Sequence, residues 1–453
     1  MQSLQIQLSY KAILKIALPI SFAILIPQLN FFINTTFLAQ LGEHELGEAG
    51  ITGVYYLIFS SIGYGLNNGL QSLISKQAGA NNPSEIGKLF NQGVLLAMLL
   101  AALGIVITYT VLPTIIYQVI HNSTTAKESL QFLQIRIWGL PFLYVYQMRN
   151  ALLVGINQSK YLPYGTAAET GVNILLDYAL IFGHFGLPAM GFNGAAYASI
   201  IAEIVGMVVT FGIIHYKGIA KQFTLFAALV LDKVRVRQIW QQSGPLMFQH
   251  AISIVSWFVF FLLIGGMVAS EMNLAISNTM RNIFGLFGVV VWALGGTTNT
   301  VVSNLIGQGK LSQVPKAIRM LCTISIVFMV GSVIVLNVFP TALCSLFKSN
   351  ANTILNTIPV IRVVSIAMLI MSAAVVYINA LIALGKSKIA FYIEAAVITL
   401  YLVYIYVVIA YAQLSLPVAW MSEWLYWVSL LIGAVYFVHN TLKSSNSKAI
   451  AEV

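Results

Sequence analysis

The stretch GTAAETGVNILLDYALIFG, residues 165–183, decides how the chain is read. It lies in an apolar run long enough to cross a bilayer, yet it carries Glu169, Asn173 and Asp177. On an α-helix eight residues advance roughly 800°, so the two acids fall within about 80° of each other, with Asn173 about 6 Å from each. Two acids and an amide thus share one stripe of a membrane helix. An ionised carboxylate is costly in hydrocarbon, so the stripe is expected to face protein or a water-filled cavity. Such a place handles a proton or a small cation.

Outward from this stretch, the composition is that of a polytopic membrane protein. The 453 residues are 59% hydrophobic and 8% charged, against about 25% charged in soluble domains. The mean hydropathy is +0.87. Long continuous apolar runs exclude an outer-membrane barrel, whose strands alternate over about ten residues. Cys322 and Cys344 form no ligand-spaced pair and read as packing residues rather than a disulfide or metal set. There is no HExxH and no GxxxxGK[ST] phosphate loop. No catalytic residue, metal or cofactor is therefore expected, and uphill transport must draw on an ion gradient.

Twelve spans are predicted, at about 12–34, 50–75, 90–116, 129–156, 162–184, 191–216, 238–266, 272–300, 315–340, 354–382, 388–411 and 416–440. The first follows Lys11 and Lys15, lacks a small-residue cleavage site and reads as a retained helix. Pro19 and Pro27 within it predict a bend, because each removes a backbone hydrogen bond. An even count puts both termini on one side. Loops on that side hold Lys76, Lys88, Lys160, the 217–237 cluster, Lys310, Lys316, Arg319, Lys386 and Lys388. Opposite loops hold Glu43, Glu45, Glu48, Glu128 and Glu271, with few cations beyond Lys127 and Lys348. The positive-inside rule makes the basic side cytoplasmic. The net charge of +10 is thus a statement about topology in the cytoplasmic membrane, not a nucleic-acid footprint.

The basic connection 217–237 separates residues 1–216, helices 1 to 6, from residues 238–453, helices 7 to 12 and a short tail. The halves echo each other: LPISFAIL near residue 18 and GPLMFQHA near 244, QSLISKQAGANN (71–82) and NTVVSNLIGQGK (299–310), NALLVGINQSK (150–160) and NALIALGKSK (379–388). Six spans per half give the repeats the same orientation, with a pseudo-two-fold along the membrane normal. Parallel repeats with a site at their interface are a transporter architecture, which predicts two six-helix lobes around a central cavity. One monomer suffices for that.

These segments resemble the multidrug and toxic compound extrusion (MATE) family, in the wider flippase and exporter superfamily, over nearly the whole chain. KIALPISFAILIPQLNFFINTTFLAQLG is similar to the family's first-helix pattern, GLNNGLQSLISKQAGANN to its second, and NILLDYALIFG with GFNGAAYASIIAE to its fifth and sixth. The resemblance implies alternating access, with export of amphipathic or cationic small molecules in exchange for H+ or Na+. It also implies a cation site in the N-terminal lobe, made by a first-helix Asp, a fifth-helix Asn and Asp, and a sixth-helix hydroxyl. By motif these are Asn173, Asp177 and Ser199, while the first-helix acid position is Asn34. An amide there coordinates a cation but does not titrate, and Glu169 stands as a second fifth-helix carboxylate. Some branches place a Glu early in helix 7; SGPLMFQHAISIVSW offers Gln249, His250 and Ser253 but no acid. A C-lobe cation site is therefore not expected.

Each residue also has a plainer reading. Asn34, Asn173 and Ser199 serve equally as interhelical hydrogen-bond partners or small packing residues. Arg281 reads as a structural charge that pairs with a carboxylate or caps a helix. Arg136, Arg149 and Arg362 are expected near interfaces, where long side chains snorkel. Glu203 and Glu394 read as cavity or second-lobe acids and Glu423 as interfacial. The histidines, His121 among them, fall mostly near span ends. Two other functions compete with antiport. A flippase for a lipid-linked saccharide would line its cavity with cations to hold a pyrophosphate. An intramembrane enzyme would need a positioned nucleophile and base or a metal-binding His pair.

Overall fold

The computed structural model describes residues 4–120, 122–227, 230–345 and 351–451; His121 and Lys348 lie outside them. Among the described residues every regular element is helical. The long helices are α1 Tyr10–Leu41, α2 Glu43–Gly79, α3 Pro83–Thr110, α4 (Ser123–Arg136 continued as Leu140–Gly155), α5 Leu162–Phe182 and α6 Gly191–Tyr216. The second set is α7 Lys233–Gly265, α8 Ser270–Gly307, α9 Val314–Val338, α10 Ala351–Ala383, α11 Ser387–Ile405 and α12 Ser422–Ala451. The protein is thus an all-α, multi-pass membrane protein, with twelve long helices among the described residues. Among the described residues, ten helices meet the length and apolarity needed to cross a membrane. The two long segments outside that set are α4, interrupted by a 3-10 turn at Ile137–Gly139, and α5, whose polar stripe dilutes its hydropathy.

Local chemistry sets these boundaries. Asn82 caps α3 by accepting from the Glu85 N–H, with Pro83 in the first turn, where a missing N–H costs nothing. Asn122 caps α4 by accepting from Thr124 and Thr125. Pro141 starts the second part of α4 and explains the break before it. Gly183, at φ 78°, ends α5 in the left-handed conformation that favours glycine.

The chain divides into two compact units. One comprises residues 22–247, the other residues 1–21 with 248–453. Their limits fall inside α1 and α7, so each of these helices contributes to both units. Within the first unit α4 packs on α2 and α3, and α5 packs chiefly on α6. Within the second, α10 packs on α8 and α9, and α11 on α12. The pairing order repeats with an offset of six helices, as the sequence echoes require. Residues 4–8 are tied to α8: Asn304 accepts from the Ile6 N–H at 2.9 Å and donates to the Leu4 carbonyl at 3.0 Å, while Gln308 donates to the Ile6 carbonyl at 3.0 Å.

The connection before α7 is tied down in the same manner, on α3. Asn91 accepts from the Phe226 N–H at 2.8 Å. Gln92 donates to the Val230 carbonyl at 2.7 Å and accepts from the Asp232 N–H at 3.0 Å. Arg235 completes the attachment with two bonds to Glu85, at 3.0 and 2.7 Å. A Cβ on Gly87 would collide with the Phe223 carbonyl, so glycine lets this segment lie directly on α3.

Candidate functional site

The α5–α6 crossing positions the acid stripe. Gly194 approaches the Leu180 carbonyl so closely that a Cβ would stand 2.6 Å from it, and Gly206 lies against Glu169. This contact turns Asn173 and Asp177 inward, where they are 4% and 1% exposed. On the α1 side, Asn30 and Asn34 lie one turn apart and both donate to Asn173 Oδ1, at 2.6 and 3.0 Å. Two donors thus occupy the same amide oxygen. Asn30 Oδ1, Asn34 Oδ1 and both oxygens of Asp177 are buried and receive no hydrogen bond. Buried acceptors are normally satisfied. Here four are not: the two oxygens of Asp177 and one amide oxygen each on Asn30 and Asn34.

Asn34 and Asn173 are joined by a hydrogen bond, with Asp177 one turn further along α5, and Asn30 shares the Asn173 oxygen although the sequence reading missed it. Its signal was present: Asn30 precedes Asn34 by four residues, on the same helix face. Ser199 is half-buried on α6 and has no hydrogen bond to this cluster among the described residues. Glu169 belongs elsewhere. It lies two turns, about 12 Å along the axis, before Asp177, within electrostatic reach of Arg149, Arg136 and Glu203 and beside Tyr146.

That second layer corrects several expectations. Arg149 does not snorkel: it is fully buried, with its guanidinium 3.6 Å from the Tyr146 ring centroid. Arg136 does not snorkel either. It makes a two-pronged ion pair with Glu203, at 3.1 and 2.5 Å, and covers the Tyr56 ring at 3.7 Å. Tyr56 in turn donates to Glu203 at 3.2 Å. Gly139, in the 3-10 turn of α4, leaves the space the pair occupies, since a Cβ there would strike both partners. Glu203 is thus an ion-pair partner in the first unit, not a second-lobe acid. Arg362 is exposed. Arg281 is exposed and sits 5.4 Å from the Phe261 ring, with no ion pair among the described residues. Glu423, in the first turn of α12, is 2% exposed and accepts from the Trp427 indole at 3.0 Å.

Buried amide and carboxylate oxygens inside a duplicated helical membrane protein suit a transporter better than an enzyme. The MatE family model matches residues 19–179 and again 245–407, once in each half. The chain belongs to the MatE family. It is 25% identical over 346 residues to a probable multidrug resistance protein NorM of Synechocystis, covering 75% of this chain and 74% of that one. A Thermotoga maritima protein of the same description is 26% identical over 355 residues, with 76% and 73% covered. The fold matches a crystal structure of a MATE protein in complex with MaL6, with a TM-score of 0.86, 14% identity and 97% of both chains covered. It also matches a MOP superfamily transporter from Pyrococcus furiosus, described as having a binding pocket of reverse polarity, with a TM-score of 0.84, 16% identity and 96% of both chains covered.

Proposed function

We propose that this transporter exports amphipathic or cationic small molecules from the cytoplasm across the cytoplasmic membrane, with both termini cytoplasmic, in exchange for an inward-moving cation bound at the Asn30–Asn34–Asn173–Asp177 cluster. The observation that carries this is the set of four buried oxygens without donors. Amide and carboxylate oxygens suit a hard cation, so Na+ is the ion assigned to the cluster. The description of the NorM relatives as probable multidrug resistance proteins supports export of drug-like cargo. The basic loop pattern supports the orientation.

Alternating access requires the ion site to influence helix packing. Binding at Asp177 alters the α1–α5 contact, and α1 carries that change through Pro19 and Pro27. The boundary between units, at Ser21 and Phe22, lies between these prolines and supports this route. Ser199 acts through the α6 side of the same helix pair. The reading as a flippase of lipid-linked saccharides is weakened because Arg136, a cation it would need free, is engaged by Glu203.

The test is uptake of a fluorescent organic cation into liposomes holding purified protein, with Na+ and H+ gradients imposed separately. Wild type, Asp177→Asn and Glu169→Gln run side by side. Drive by a Na+ gradient that disappears in Asp177→Asn is the expected result. Drive by a pH gradient alone, lost in the same variant, keeps the residues and overturns the ion. No movement under either gradient, with both variants like wild type, sinks the site and promotes the flippase reading.

A further inference from the structure

The second unit holds a carboxylate that the cation cluster does not use. Glu394 is the eighth residue of α11, just as Glu169 is the eighth of α5. The duplication therefore places an acid at one register in both units. Glu394 is 3% exposed and is enclosed by donors from two other helices. From α7, the Ser253 hydroxyl donates to Oε1 at 2.9 Å and the Gln249 amide reaches Oε2 at 3.4 Å. From α12, the Tyr426 hydroxyl also donates to Oε1.

Among the described residues no cation balances this group. Glu394 and Glu423 form no ion pair with any lysine, arginine or histidine among the described residues. On α12 the titratable groups nearby are Tyr426 and, acting on it, Glu423. On α7 the candidate is His250, buried next to Gln249 in the chain, but it is not among the groups bonded to Glu394. On α10, which also packs on α11, Arg362 is exposed and Tyr377 is turned toward Cys322 and Arg319. An ionised carboxylate buried with neutral donors alone is costly. Meanwhile Gln249 Oε1 is buried without a donor.

A single proton resolves both. Placed on Glu394 Oε2, it makes an O–H that donates to Gln249 Oε1 once that amide turns over, while Ser253 and Tyr426 keep their bonds to Oε1. A metal ion suits the place less well, because donors already occupy the carboxylate and Gln249 alone supplies another open oxygen. We infer that Glu394, with Gln249, Ser253 and Tyr426, is a proton-exchange site of the second unit, separate from the Asp177 cluster and different in kind from it. Helix 7 lacks an acid of its own, but α11 brings one to its polar face. The protein then carries two ion sites, an oxygen-rich one for a coordinated cation and a donor-saturated one for H+.

Infrared difference spectroscopy on purified full-length protein, titrated in pH, reads this site without any cargo, so it stands or falls apart from the antiport reading. The expected result is a carbonyl-stretch band of a protonated carboxylic acid that comes and goes with pH. It should be absent in Glu394→Gln, retained in Asp177→Asn, and moved in frequency in Tyr426→Phe, which removes one hydrogen bond to the group. Glutamine keeps the acceptor for Ser253 and Tyr426, so Glu394→Gln is expected to fold. Fewer protons exchanged per chain on a pH jump in Glu394→Gln is the second expected readout. Wild-type and Glu394→Gln spectra that agree across the whole titration would overturn the assignment.

Discussion

Removing Arg136 is the sharpest test of how the first unit tolerates its buried charges. Arg136→Met leaves Glu203, whose side chain is 7% exposed, with the Tyr56 hydroxyl at 3.2 Å as its remaining bonded donor. Breaking a buried ion pair from one side costs about 3–5 kcal/mol, because the other charge stays behind. For a unit of this size each kcal/mol lowers Tm by roughly 2–4 °C, so the expected fall is roughly 6–20 °C. Methionine keeps part of the stem that covers Tyr56, which isolates the charge effect. The double variant Arg136→Met/Glu203→Leu removes both charges, and replacing a whole buried pair by apolar groups is often neutral. It should recover most of the loss and give a coupling energy of about 2 kcal/mol or more in the cycle. Thermal unfolding in detergent, followed by tryptophan fluorescence, reads the wild type, Arg136→Met, Glu203→Leu and the double variant. If Arg136→Met melts no lower than the double variant, the pair does not stabilise the unit and the reasoning fails.

Gly87→Ala should lift the 217–237 connection from α3, because its Cβ meets the Phe223 carbonyl; faster proteolysis of that segment with unchanged helical content is the expected readout. The same proteolysis reports on Asp232, whose carboxylate the Arg235 and Val234 backbone N–H groups and the Arg235 guanidinium hold below the usual range. A lowered value means that its contribution is complete above the unfolded pKa and is lost as pH falls through the folded one. Acidification from about pH 7 to 5 should therefore leave the connection protected, with loosening only below about pH 4. Asn173→Ala strands the donors of Asn30 and Asn34, at a cost of about 1–3 kcal/mol for each buried one left unpaired. It should lower Tm and abolish stabilisation by Na+, whereas Asn173→Asp, which keeps an oxygen for both donors, should lower Tm less. An Asn173→Ala protein that Na+ still stabilises fully would show that the ion binds elsewhere.

Most of the fold was legible because hydrophobic runs and loop charge report directly on membrane crossing, and the three echoes report on duplication. The cation cluster was legible in part. Asn173 and Asp177 are one helical turn apart, a relation that spacing fixes, and the family pattern supplied Asn34. Glu169 was misgrouped because a shared stripe says nothing about which neighbours pack against each turn. Gly206 brings α6 against Glu169, and the arginines of α4 come with that layer. Arg149 read as interfacial because its burial depends on Tyr146 and on the α5–α6 crossing, not on its own surroundings in the chain. Glu394 and Ser253 are 141 residues apart. Searching helix 7 for its own acid therefore missed the one that α11 delivers.

The tie between residues 4–8 and α8 has a consequence for biogenesis. Ile6 meets Asn304 across 298 positions of the chain. At about 5–20 residues per second of synthesis, roughly 15–60 s separate the emergence of the two. Through that interval the amino-terminal arm lacks its bonds to α8, although α2 to α6 can already be assembling. Its docking on α8 therefore comes after that helix is made. A nascent chain stalled before residue 304 should hold this arm in reach of a chaperone or crosslinker, and one released after α8 should not.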